Sequence, residues 1–580
     1  MEYILNPCKY GSSGLVVHPD GDCAQLKHEF GIFNTFFNSS QLQAIGRATR
    51  RSNAASTADT PITLIQGPPG TGKTHTIWGL LNVVHLIQFQ EYYKSVIEVL
   101  KGVIEERASR PRILVCAPSN GAVMNVLQRV MQKGFCQTDG NRYCPAIIHV
   151  GTNTGQQSEF SEFSAENRAN KLLNMGKEEW MHWLSHQYHT VKVLEADLQA
   201  HLELFYKTRQ NSENDGNDLC GKLLAMYEHR DRAVADLARL EHLRPYHEGR
   251  CVGEYDLSTL RSALEASFVD EAEIVFTTLA SSGKQCLMKI SHGFQTLVVD
   301  EAAQATESCL LLPLIHGVKH CVLVGDPQQL PSTVLSQTAI KSGYDRSLFE
   351  RLVQIGIQPF LLTVQYRMRP EIRKFPSDFF YENKLSDANC TSLTSMIDYQ
   401  ALRREHDIAF TPYLIFDTSG GVERRSSLGS IKNEFEAQLC VKLISILSTG
   451  TQNIGRTTIT LTVITPYSFQ CDLVRELVQC LKLTCFDIKV STIDGFQGRE
   501  SDIVIFSCVR SAQSGMGFMN DARRLNVALT RAKSTLWILC SSNARVDDLW
   551  ASLFDDARKR DAVVPSAKVQ KLVDSFTLSR

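Results

Sequence analysis

The sequence predicts an α/β protein built on two successive parallel sheets, with a helical insertion in the first. Apolar, β-branched runs alternate with helical patterns, which is typical of parallel α/β layers. These runs fall into two sets, and a strand-poor segment from 155 to 268 interrupts the first set. A chain of 580 residues is too long for one hydrophobic core. Its length therefore favours roughly three or four domain-sized units.

The first set of predicted strands comprises "ITLI" (62–65), "RILVCAP" (112–118), "EIVFTTL" (273–279), "TLVVDEA" (296–302), "HCVLVGD" (320–326) and "FLLTVQYR" (360–367). The second set comprises "YLIFDT" (413–418), "TITLTVITPY" (458–467), "DIKVSTIDGFQG" (487–498), "DIVIFSCVRS" (502–511) and "TLWILCSS" (535–542). Since each set suffices for one sheet, two α/β domains are expected.

The strand-poor segment has a helical repeat of its own. Apolar residues recur every seven positions at Leu184, Val191, Leu198 and Phe205. After the turn-like "NSENDGND" (211–218), apolar residues follow at spacings of three and four, at Leu223, Met226, Ala233, Leu237 and Leu240. The pattern predicts a helical hairpin packed through an apolar seam. A purely structural role and a substrate-guiding role are both open for it.

Composition excludes several classes. The chain is 43% hydrophobic and 21% charged, which is ordinary for a soluble globular protein. It has no apolar run of 18 residues and no basic region followed by an apolar stretch at the N-terminus, so neither a membrane span nor a secretory signal is indicated. The formal net charge is −1, so any nucleic-acid binding must use a locally basic groove.

Cysteine usage indicates an intracellular protein without a disulfide framework. The 17 cysteines are an odd number, and no CxxC pair occurs. His316, His320 and Cys321 lie close in sequence, but their positions fit surface and core residues at a junction of loop and strand better than a zinc site.

The stretch "QGPPGTGKTHT" (66–76) has every fixed position of a phosphate-binding loop. Gly67, Gly70 and Gly72 leave room for the backbone to wrap a polyphosphate with its N–H groups pointing inward. Lys73 is expected to reach the β and γ phosphates, and the Thr74 hydroxyl to ligate Mg²⁺. A helix expected from Thr74 to Val84 adds its positive N-terminal end. The alternative is a glycine-rich turn that binds nothing.

The predicted nucleotide-binding stretch is continuous, and it comprises Gly67, Pro68, Pro69, Gly70, Thr71, Gly72, Lys73, Thr74 and His75. Its acidic partners are expected at Asp300 and Glu301, where the strand "TLVVD" delivers two carboxylates to its C-terminal edge. Asp300 can hold Mg²⁺, and Glu301 can orient or deprotonate the attacking water. A pair that only caps a helix is the alternative.

Eight segments in order resemble the motifs of superfamily 1 helicases, and most closely the senataxin-like and nonsense-mediated-decay helicases of group B. They are "FNSSQLQAI" (37–45), "GPPGTGKT", "CAPSNGAV", "VVDEAAQATE", "VGDPQQLPSTV", "LTVQYRMRPEI", "STIDGFQGRESDIVIFSCVR" and "RRLNVALTRAK". The match covers roughly 37–545 apart from the helical insertion. It implies two tandem RecA-like domains that hydrolyse ATP with Mg²⁺.

The resemblance assigns further roles around the nucleotide. Gln41 is implied to read the adenine edge, since an amide offers one donor and one acceptor. Tyr366 would stack on the adenine, Gln329 would sense the γ phosphate, and Glu500 would contact the ribose or link the sites.

Two arginines carried by the second domain are implied to point at the same phosphates. Arg367 lies in the "QYR" motif and Arg531 in "ALTRAK". An arginine donated across a cleft stabilises the transition state only when the cleft closes, and such residues contribute roughly 10³ to 10⁵ in turnover. The alternative for each arginine is a surface salt bridge, which would be the favoured role if the residue stood outside these motifs.

Short hydroxyl and amide side chains beyond strand ends are expected to contact a nucleic-acid backbone without reading bases. The candidates are Ser119, Asn120, Thr277, Thr278, Pro466, Tyr467 and Thr492. Tyr467 can also stack a base, which contributes about 1 to 3 kcal/mol. Loop capping is the alternative role for this set.

The expected domain organisation is an N-terminal extension (1–36), a first RecA-like domain in two parts (37–154 and 269–358) around the insertion (155–268), a second RecA-like domain (359–560) and a C-terminal tail (561–580). The family places a small β-barrel ahead of "NSSQ", and only 40 residues precede Gln41 here. The expectation is a truncated form or a chain without the barrel, which leaves strand separation open. No zinc module like that of the decay helicases is expected.

Two functions follow as hypotheses. The first is a motor stimulated by single-stranded RNA or DNA, moving 5′ to 3′ by resemblance and unwinding duplexes or RNA–DNA hybrids. The second is an ATP-gated nucleic-acid clamp that remodels complexes without processive unwinding. No membrane partner is expected and protein partners are not indicated. A nuclear location rests on resemblance, with the cytoplasm as the alternative.

Overall fold

The computed structural model describes residues 31, 35–49, 61–100, 102, 104–106, 108–151, 160–209, 216–249, 254–389, 397–427, 429–451, 458–481, 483, 485–511 and 516–575. Most of the predicted N-terminal extension, residues 211–215 of the predicted turn and residues 576–580 of the predicted tail lie outside these ranges. The chain divides into two compact units. The first comprises 1–65, 74–325 and 333–360, and the second comprises 66–73, 326–332 and 361–580.

A seven-stranded sheet with the order β5-β6-β2-β7-β8-β1-β9 forms the centre of the first unit. Its strands are β1 (Ile62–Gln66), β2 (Ile113–Ala117), β5 (Ile147–Val150), β6 (Ile274–Thr278), β7 (Thr296–Val299), β8 (His320–Gly325) and β9 (Phe360–Leu361), and a separate pair is β3 (Phe135–Cys136) with β4 (Arg142–Tyr143). The β5–β6, β6–β2, β2–β7 and β7–β8 pairs are parallel, and their central residues are buried.

Helices surround this sheet. They are α1 (Ser39–Thr49), α2 (Lys73–Leu100), α3 (Asn120–Lys133), α4 (Ala165–Leu173), α5 (Lys177–Arg209), α6 (Gly216–His242), α7 (Arg244–His247), α8 (Glu254–Glu271), α9 (Gln285–Met288), α10 (Glu307–Leu314), α11 (Gln337–Lys341) and α12 (Leu348–Gln354). Short 3-10 turns lie at Ser161–Phe163, Ala280–Gly283 and Ala302–Gln304.

The helical insertion lies between β5 and β6 and consists of α4 to α8. Leu184, Val191, Leu198 and Phe205 are all buried, as the seven-residue spacing predicts. Its seam also packs on the second half of α2, where Tyr92 and Val96 join Leu198, Phe205 and the apolar residues of α6. This packing explains why α2 runs to Leu100, so the prediction that the helix ends at Val84 is wrong.

A six-stranded parallel sheet with the order β16-β15-β17-β18-β12-β19 forms the centre of the second unit. Its strands are β12 (Tyr413–Asp417), β15 (Ile459–Thr465), β16 (Phe486–Thr492), β17 (Ser501–Ser507), β18 (Ala532–Cys540) and β19 (Val563–Val564), and two separate pairs are β10 (Val364–Gln365) with β11 (Ser386–Asp387) and β13 (Glu423–Arg425) with β14 (Ile431–Asn433). One continuous core runs through this unit, with Trp537 and Trp550 fully buried in it.

Seven helices complete the described part of the second unit. They are α13 (Pro370–Phe380), α14 (Tyr399–Glu405), α15 (Glu434–Thr449), α16 (Ser468–Gln479), α17 (Ala522–Leu529), α18 (Asp548–Lys559) and α19 (Ser566–Asp574), with 3-10 turns at Asp494–Phe496, Gly517–Asn520 and Ser542–Val546. The prediction of two parallel α/β sheets with a helical insertion in the first is confirmed.

One predicted strand is corrected. The run "FLLTVQYR" was expected to form a single strand, but β9 ends at Leu361 and β10 pairs with β11 in a sheet of its own. The side chain of Gln365 explains the break, because its Nε2 donates to the Met368 carbonyl and to the Asp387 carboxylate, both at 2.6 Å. These bonds turn the chain towards α13.

Candidate nucleotide and nucleic-acid site

The phosphate-binding loop follows β1 and owes its shape to glycine. Gly70 and Gly72 have φ of 76° and 82°, in the left-handed region that glycine adopts without strain. A Cβ on Gly67 would lie 2.2 Å from Cγ of Lys73, so the lysine stem packs directly on that residue. The Lys73 ammonium donates to the Gly67 carbonyl at 3.1 Å. The lysine thereby lies folded over its own loop.

Tyr366 and Arg367 lie beside the loop within the second unit. The Tyr366 N–H donates to the Gly70 carbonyl at 2.8 Å, and a Cβ on Gly70 would meet Cβ of Arg367 at 2.7 Å. Tyr366 is 44% exposed. The predicted adenine-stacking residue and one predicted arginine therefore flank the phosphate loop.

Glu500 holds Arg367 in place. Its carboxylate accepts from Nε of Arg367 at 2.6 Å and lies 3.1 Å from the Lys533 ammonium. Burial acts to raise the pKa of Glu500, but the charges of Arg367 and Lys533 outweigh it and hold that pKa below its ordinary value. Arg367 also donates to the Thr530 carbonyl at 3.1 Å. Glu500 thus links the "QYR" arginine to the segment that carries Arg531.

Gln329 and Arg531, predicted separately as phosphate sensors, are bonded to each other. The Arg531 guanidinium is buried, donates to Oε1 of Gln329 at 3.2 Å, and is steadied by a bond from Nε to the Val527 carbonyl at 2.9 Å. The Gln329 amide in turn donates to the Asp326 carboxylate at 2.8 Å. Sequence reasoning did not single out Asp326, although it follows β8 as Asp300 follows β7.

Asp300 and Glu301 lie at the carboxyl end of β7 in the first unit. Asp300 is buried, and Oδ1 of its carboxylate accepts the N–H of Glu301 at 2.9 Å. Glu301 has φ of 50°, a strained value for a non-glycine residue, and its carboxylate accepts from the Gln304 amide at 2.8 Å. The Glu301 side chain makes no capping hydrogen bond to the 3-10 turn that follows it. The helix-capping alternative therefore lacks its defining bond.

The donor set suits magnesium. Thr74 lies in the first turn of α2, and Asp300 supplies a buried carboxylate, so both offer the hard oxygen ligands that Mg²⁺ prefers. Within the described ranges, no group of three or more His, Cys, Asp or Glu side chains is arranged to hold a metal ion.

His316, His320 and Cys321 have ordinary structural surroundings. The His316 ring bonds the Ser282 carbonyl at 2.8 Å, and the His320 ring bonds the Thr63 hydroxyl at 3.0 Å. Cys321 is buried in β8. Their bonds suit the junction of loop and strand that the sequence indicated.

Gln41 lies in the first turn of α1, in a reciprocal arrangement with Asn38. Its Oε1 accepts the Asn38 N–H at 3.1 Å, and Oδ1 of Asn38 accepts the Gln41 N–H at 3.0 Å. His75 stacks on Phe37 with ring centroids 4.6 Å apart, and its Nε2 lies 2.9 Å from the Phe36 carbonyl. Burial lowers the pKa of His75, so the ring is neutral in this stack at neutral pH. His75 thus connects α2 to the segment that presents Gln41.

The predicted nucleic-acid contacts divide into local caps and half-buried groups. The Ser119 hydroxyl accepts from the Ala122 N–H at the start of α3, and the Thr278 and Thr492 hydroxyls each accept a backbone N–H three residues on. The Thr277 hydroxyl is fully buried and donates to the Val150 carbonyl at 2.7 Å. Capping thus occupies three of these hydroxyls, and Thr277 presents no side chain to a ligand.

The remaining candidates, Asn120, Pro466 and Tyr467, are half-buried at strand ends. Tyr467 follows β15, and burial raises the pKa of its hydroxyl, with Arg510 and Glu423 close enough to act on it. Arg510 is buried and lies 3.5 Å from the Glu423 carboxylate. At this sheet edge of the second unit, the ring and hydroxyl of Tyr467 therefore lie near an arginine, Arg510, whose charge is balanced by Glu423.

A phosphate loop after the first strand of a parallel sheet, an Asp–Glu pair after another strand and two arginines in a unit with a second parallel sheet are features of α/β proteins of the helicase class. Profiles described as AAA domains match residues 36–337 and 344–543. The chain belongs to the superfamily 1 helicases related to senataxin and Upf1, a family of ATP-dependent enzymes.

Similar proteins carry helicase names. Helicase sen1 of Schizosaccharomyces pombe is 35% identical over 89% of this chain and 30% of its own length. Probable helicase senataxin of Homo sapiens is 31% identical over 91% and 19%, and ATP-dependent helicase upf1 of S. pombe is 30% identical over 83% and 43%. The chain thus spans between about a fifth and two fifths of the length of these relatives.

A solved complex of the arterivirus nonstructural protein 10 helicase with DNA aligns with 84% of this chain and 61% of its own, at 12% identity and a TM-score of 0.33. Among the helices in the described part of the chain, none has both the length and the apolar content to cross a membrane.

Proposed function

We propose that this chain hydrolyses ATP with Mg²⁺ and uses the energy to move along single-stranded RNA or DNA, 5′ to 3′, separating duplexes or RNA–DNA hybrids. One observation carries the proposal. Lys73, Gln329, Arg367 and Arg531 all belong to one compact unit, where they form a set of cationic and amide groups around a phosphate loop. Charge-complementing groups of this kind stabilise phosphoryl transfer.

In this mechanism the chain's own groups position the phosphates and the water. Lys73 reaches the β and γ phosphates when it leaves its bond to the Gly67 carbonyl. Asp300 and Thr74 would hold Mg²⁺, which would supply neutralisation of charge on the phosphates. Glu301 accepts the proton of the attacking water, and its strained backbone and the bond from Gln304 support a fixed aim for that carboxylate.

The two arginines complete the charge stabilisation. Arg531 and Gln329 act on the γ phosphate as a bonded pair, and Arg367 acts from beside Gly70. Gln41 and Tyr366 hold the adenine, the first by its amide and the second by its exposed ring. Glu500 holds the Arg367 guanidinium through a salt bridge.

The nucleic-acid contacts of the proposal use strand ends in both units. In the first unit these are the segment around Ser119 and Asn120 and the strand end at Thr278, whereas Thr277 is fully buried and takes no part. In the second they are Pro466, Tyr467 and Thr492. A hydroxyl that accepts an N–H of its own turn still carries a proton that a phosphate oxygen can accept. Such contacts leave the sequence unread, which suits a motor that must accept any sequence.

The test is a strand-displacement assay on a 5′-tailed RNA–DNA hybrid, run beside an ATPase assay on the same preparation. Displacement that needs ATP and fails with Lys73→Ala supports the motor. Hydrolysis without displacement on 5′-tailed or 3′-tailed substrates would contradict unwinding and leave the ATP-gated clamp. Displacement only from 3′ tails would contradict the proposed polarity.

A further inference from the structure

A network of buried hydrogen bonds lies behind the Gln329–Arg531 pair. From it we propose that Tyr381 is a positioning residue for ATP hydrolysis, whose hydroxyl holds the Asp326 carboxylate so that Gln329 is aimed at Arg531. The inference rests on the proposed function, in which Gln329 and Arg531 act on the γ phosphate. All the residues concerned belong to the second unit.

Asp326 is the centre of the network. Its Oδ2 accepts from the Tyr381 hydroxyl at 2.7 Å and from Nε2 of Gln329 at 2.8 Å. Its Oδ1 accepts from Nε2 of Gln66 and from the N–H of Gln328, both at 3.2 Å. Burial raises the pKa of Asp326, although the Lys73 charge and the bonds from Gln329, Tyr381 and the Gln328 N–H act to lower it. Four donors face the two carboxyl oxygens, so these oxygens act as the acceptors that orient the neighbouring groups.

The direction of each bond follows from the chemistry of the groups. A phenol has one proton, so Tyr381 gives that proton to Asp326 and its oxygen accepts from Nδ2 of Asn526 at 2.8 Å. Burial raises the pKa of Tyr381 well above its ordinary value, so the phenol remains a donor throughout the neutral range. Nδ2 of Asn526 also donates to the Gln328 carbonyl at 2.8 Å. A flipped Asn526 amide would place oxygen against that carbonyl, so its orientation is settled.

Gln329 is then oriented from both sides. Its Nε2 must face the Asp326 carboxylate, and its Oε1 must face the Arg531 guanidinium. In the flipped amide, an oxygen would face the carboxylate oxygen and an NH₂ group would face the guanidinium, so neither hydrogen bond could form. If Asp326 rotates, Gln329 loses the acceptor that fixes its amide, and Arg531 loses its bond to Gln329. The Tyr381 hydroxyl is the donor that restrains Asp326 from the side opposite the phosphate loop residue Gln66.

The backbone closes the network. Asn526 lies on α17, its carbonyl accepts from the Thr530 hydroxyl at 2.7 Å, and Thr530 precedes Arg531. Asn526 therefore restrains the helix end that carries Arg531 and, through the Gln328 carbonyl, the segment that carries Gln329. Its Oδ1 is buried with no partner in the described part of the chain. An asparagine with one unsatisfied oxygen costs stability, so its two donated bonds are the reason for an amide here.

The experiment uses the full chain and measures steady-state ATP hydrolysis at saturating single-stranded nucleic acid. Tyr381→Phe removes only the hydroxyl. We expect kcat to fall about tenfold or more, as for loss of a hydrogen bond to a charged group, with KM for ATP changed less than about twofold. Tyr399→Phe is the matched control, because it removes another hydroxyl of the same unit, one that bonds the Thr535 hydroxyl at 2.6 Å.

A double-mutant cycle separates positioning from a merely structural role. Gln329→Ala lowers kcat, and we expect Tyr381→Phe to lower it no further in the Gln329→Ala background, since its effect passes through Gln329. Asn526→Leu, which removes the donor on the other side of the hydroxyl, is expected to give the same loss of kcat and serves if Tyr381→Phe folds poorly.

Each outcome decides the matter. Full activity in Tyr381→Phe, losses that multiply in the cycle, or an equal loss in Tyr399→Phe would overturn the positioning role while leaving the proposed function intact. If Gln329→Ala hydrolysed ATP at the wild-type rate, the role of Gln329 in hydrolysis would be refuted. The positioning role of Tyr381 would then be refuted with it.

Discussion

A buried carboxylate in the second unit predicts an unusual dependence of stability on pH. Glu436, on α15, is fully buried and accepts from the Thr418 hydroxyl at 2.8 Å, the Ser507 hydroxyl at 2.7 Å and the Val509 N–H at 2.8 Å. Val509 has φ of 70°, so the carboxylate stabilises a strained turn after β17. Burial raises the pKa of Glu436 to about 7, although the three donors act to lower it.

The sign and size follow from that shift. Below the ordinary pKa of 4.5 both states are protonated, and between 4.5 and about 7 only the folded state keeps the proton. The free energy of unfolding therefore falls as pH rises through this window, by about 3 kcal/mol in all, and levels off above it. The neighbouring thiols of Cys440, Cys508 and Cys540 have raised pKa values, so they stay uncharged in the window.

Urea unfolding followed by tryptophan fluorescence between pH 5 and 8 measures this effect. Glu436→Gln keeps an oxygen for Val509 and Ser507 and cannot ionise, so its stability should lack the wild-type decline and exceed wild type by up to about 3 kcal/mol at pH 8. Glu434→Gln, at a partly exposed residue of the same helix, is the control and should keep the decline. A Glu436→Gln protein with the same pH slope as wild type would refute the reasoning.

Three further predictions concern hydrolysis. Lys73→Ala should abolish turnover because the phosphates lose their charge partner, whereas Lys568→Ala, an exposed lysine of the same unit, should not; undiminished turnover in Lys73→Ala would refute the loop assignment. Arg531→Ala should lower kcat by roughly 10³ or more. Its nucleotide affinity, measured by equilibrium titration, should be largely kept. Wild-type values for both quantities would contradict the role of Arg531. Glu500→Gln should cost no more than about fivefold in kcat, because its bond to Arg367 is partly exposed and contributes about 1 kcal/mol or less. A loss above a hundredfold would mean that Glu500 does more than hold that arginine.

Local patterns predicted the sheets and the insertion because each depends on periodicity within one element. The seven-residue spacing from Leu184 to Phe205 identified a buried seam, and β-branched runs identified the strands. The same patterns missed the second half of α2, because that helix is extended by packing on the insertion, more than a hundred residues along the chain. They also joined β9 to β10, since a side-chain turn at Gln365 leaves no mark in hydropathy.

The sequence singles out residues motif by motif, but it carries no signal of the bonds between motifs. Gln329 and Arg531 were each singled out, yet nothing in the sequence indicates that they bond to each other across 202 positions. Asp326 and Tyr381 were missed for the same reason, because a hydrogen bond between residues 55 apart has no periodic signal. Short hydroxyl side chains were the least predictable, since a strand-end serine or threonine can equally cap its own turn, as Ser119 does.

The central claim is that nucleotide hydrolysis at the phosphate loop is coupled to a bound strand. The most direct measurement is the rate of ATP hydrolysis by the full chain with and without matched single-stranded RNA and DNA, at saturating ATP and Mg²⁺. The account predicts a rate that rises with at least one of the two strands and disappears in Lys73→Ala. A rate that is the same with and without either strand would contradict it.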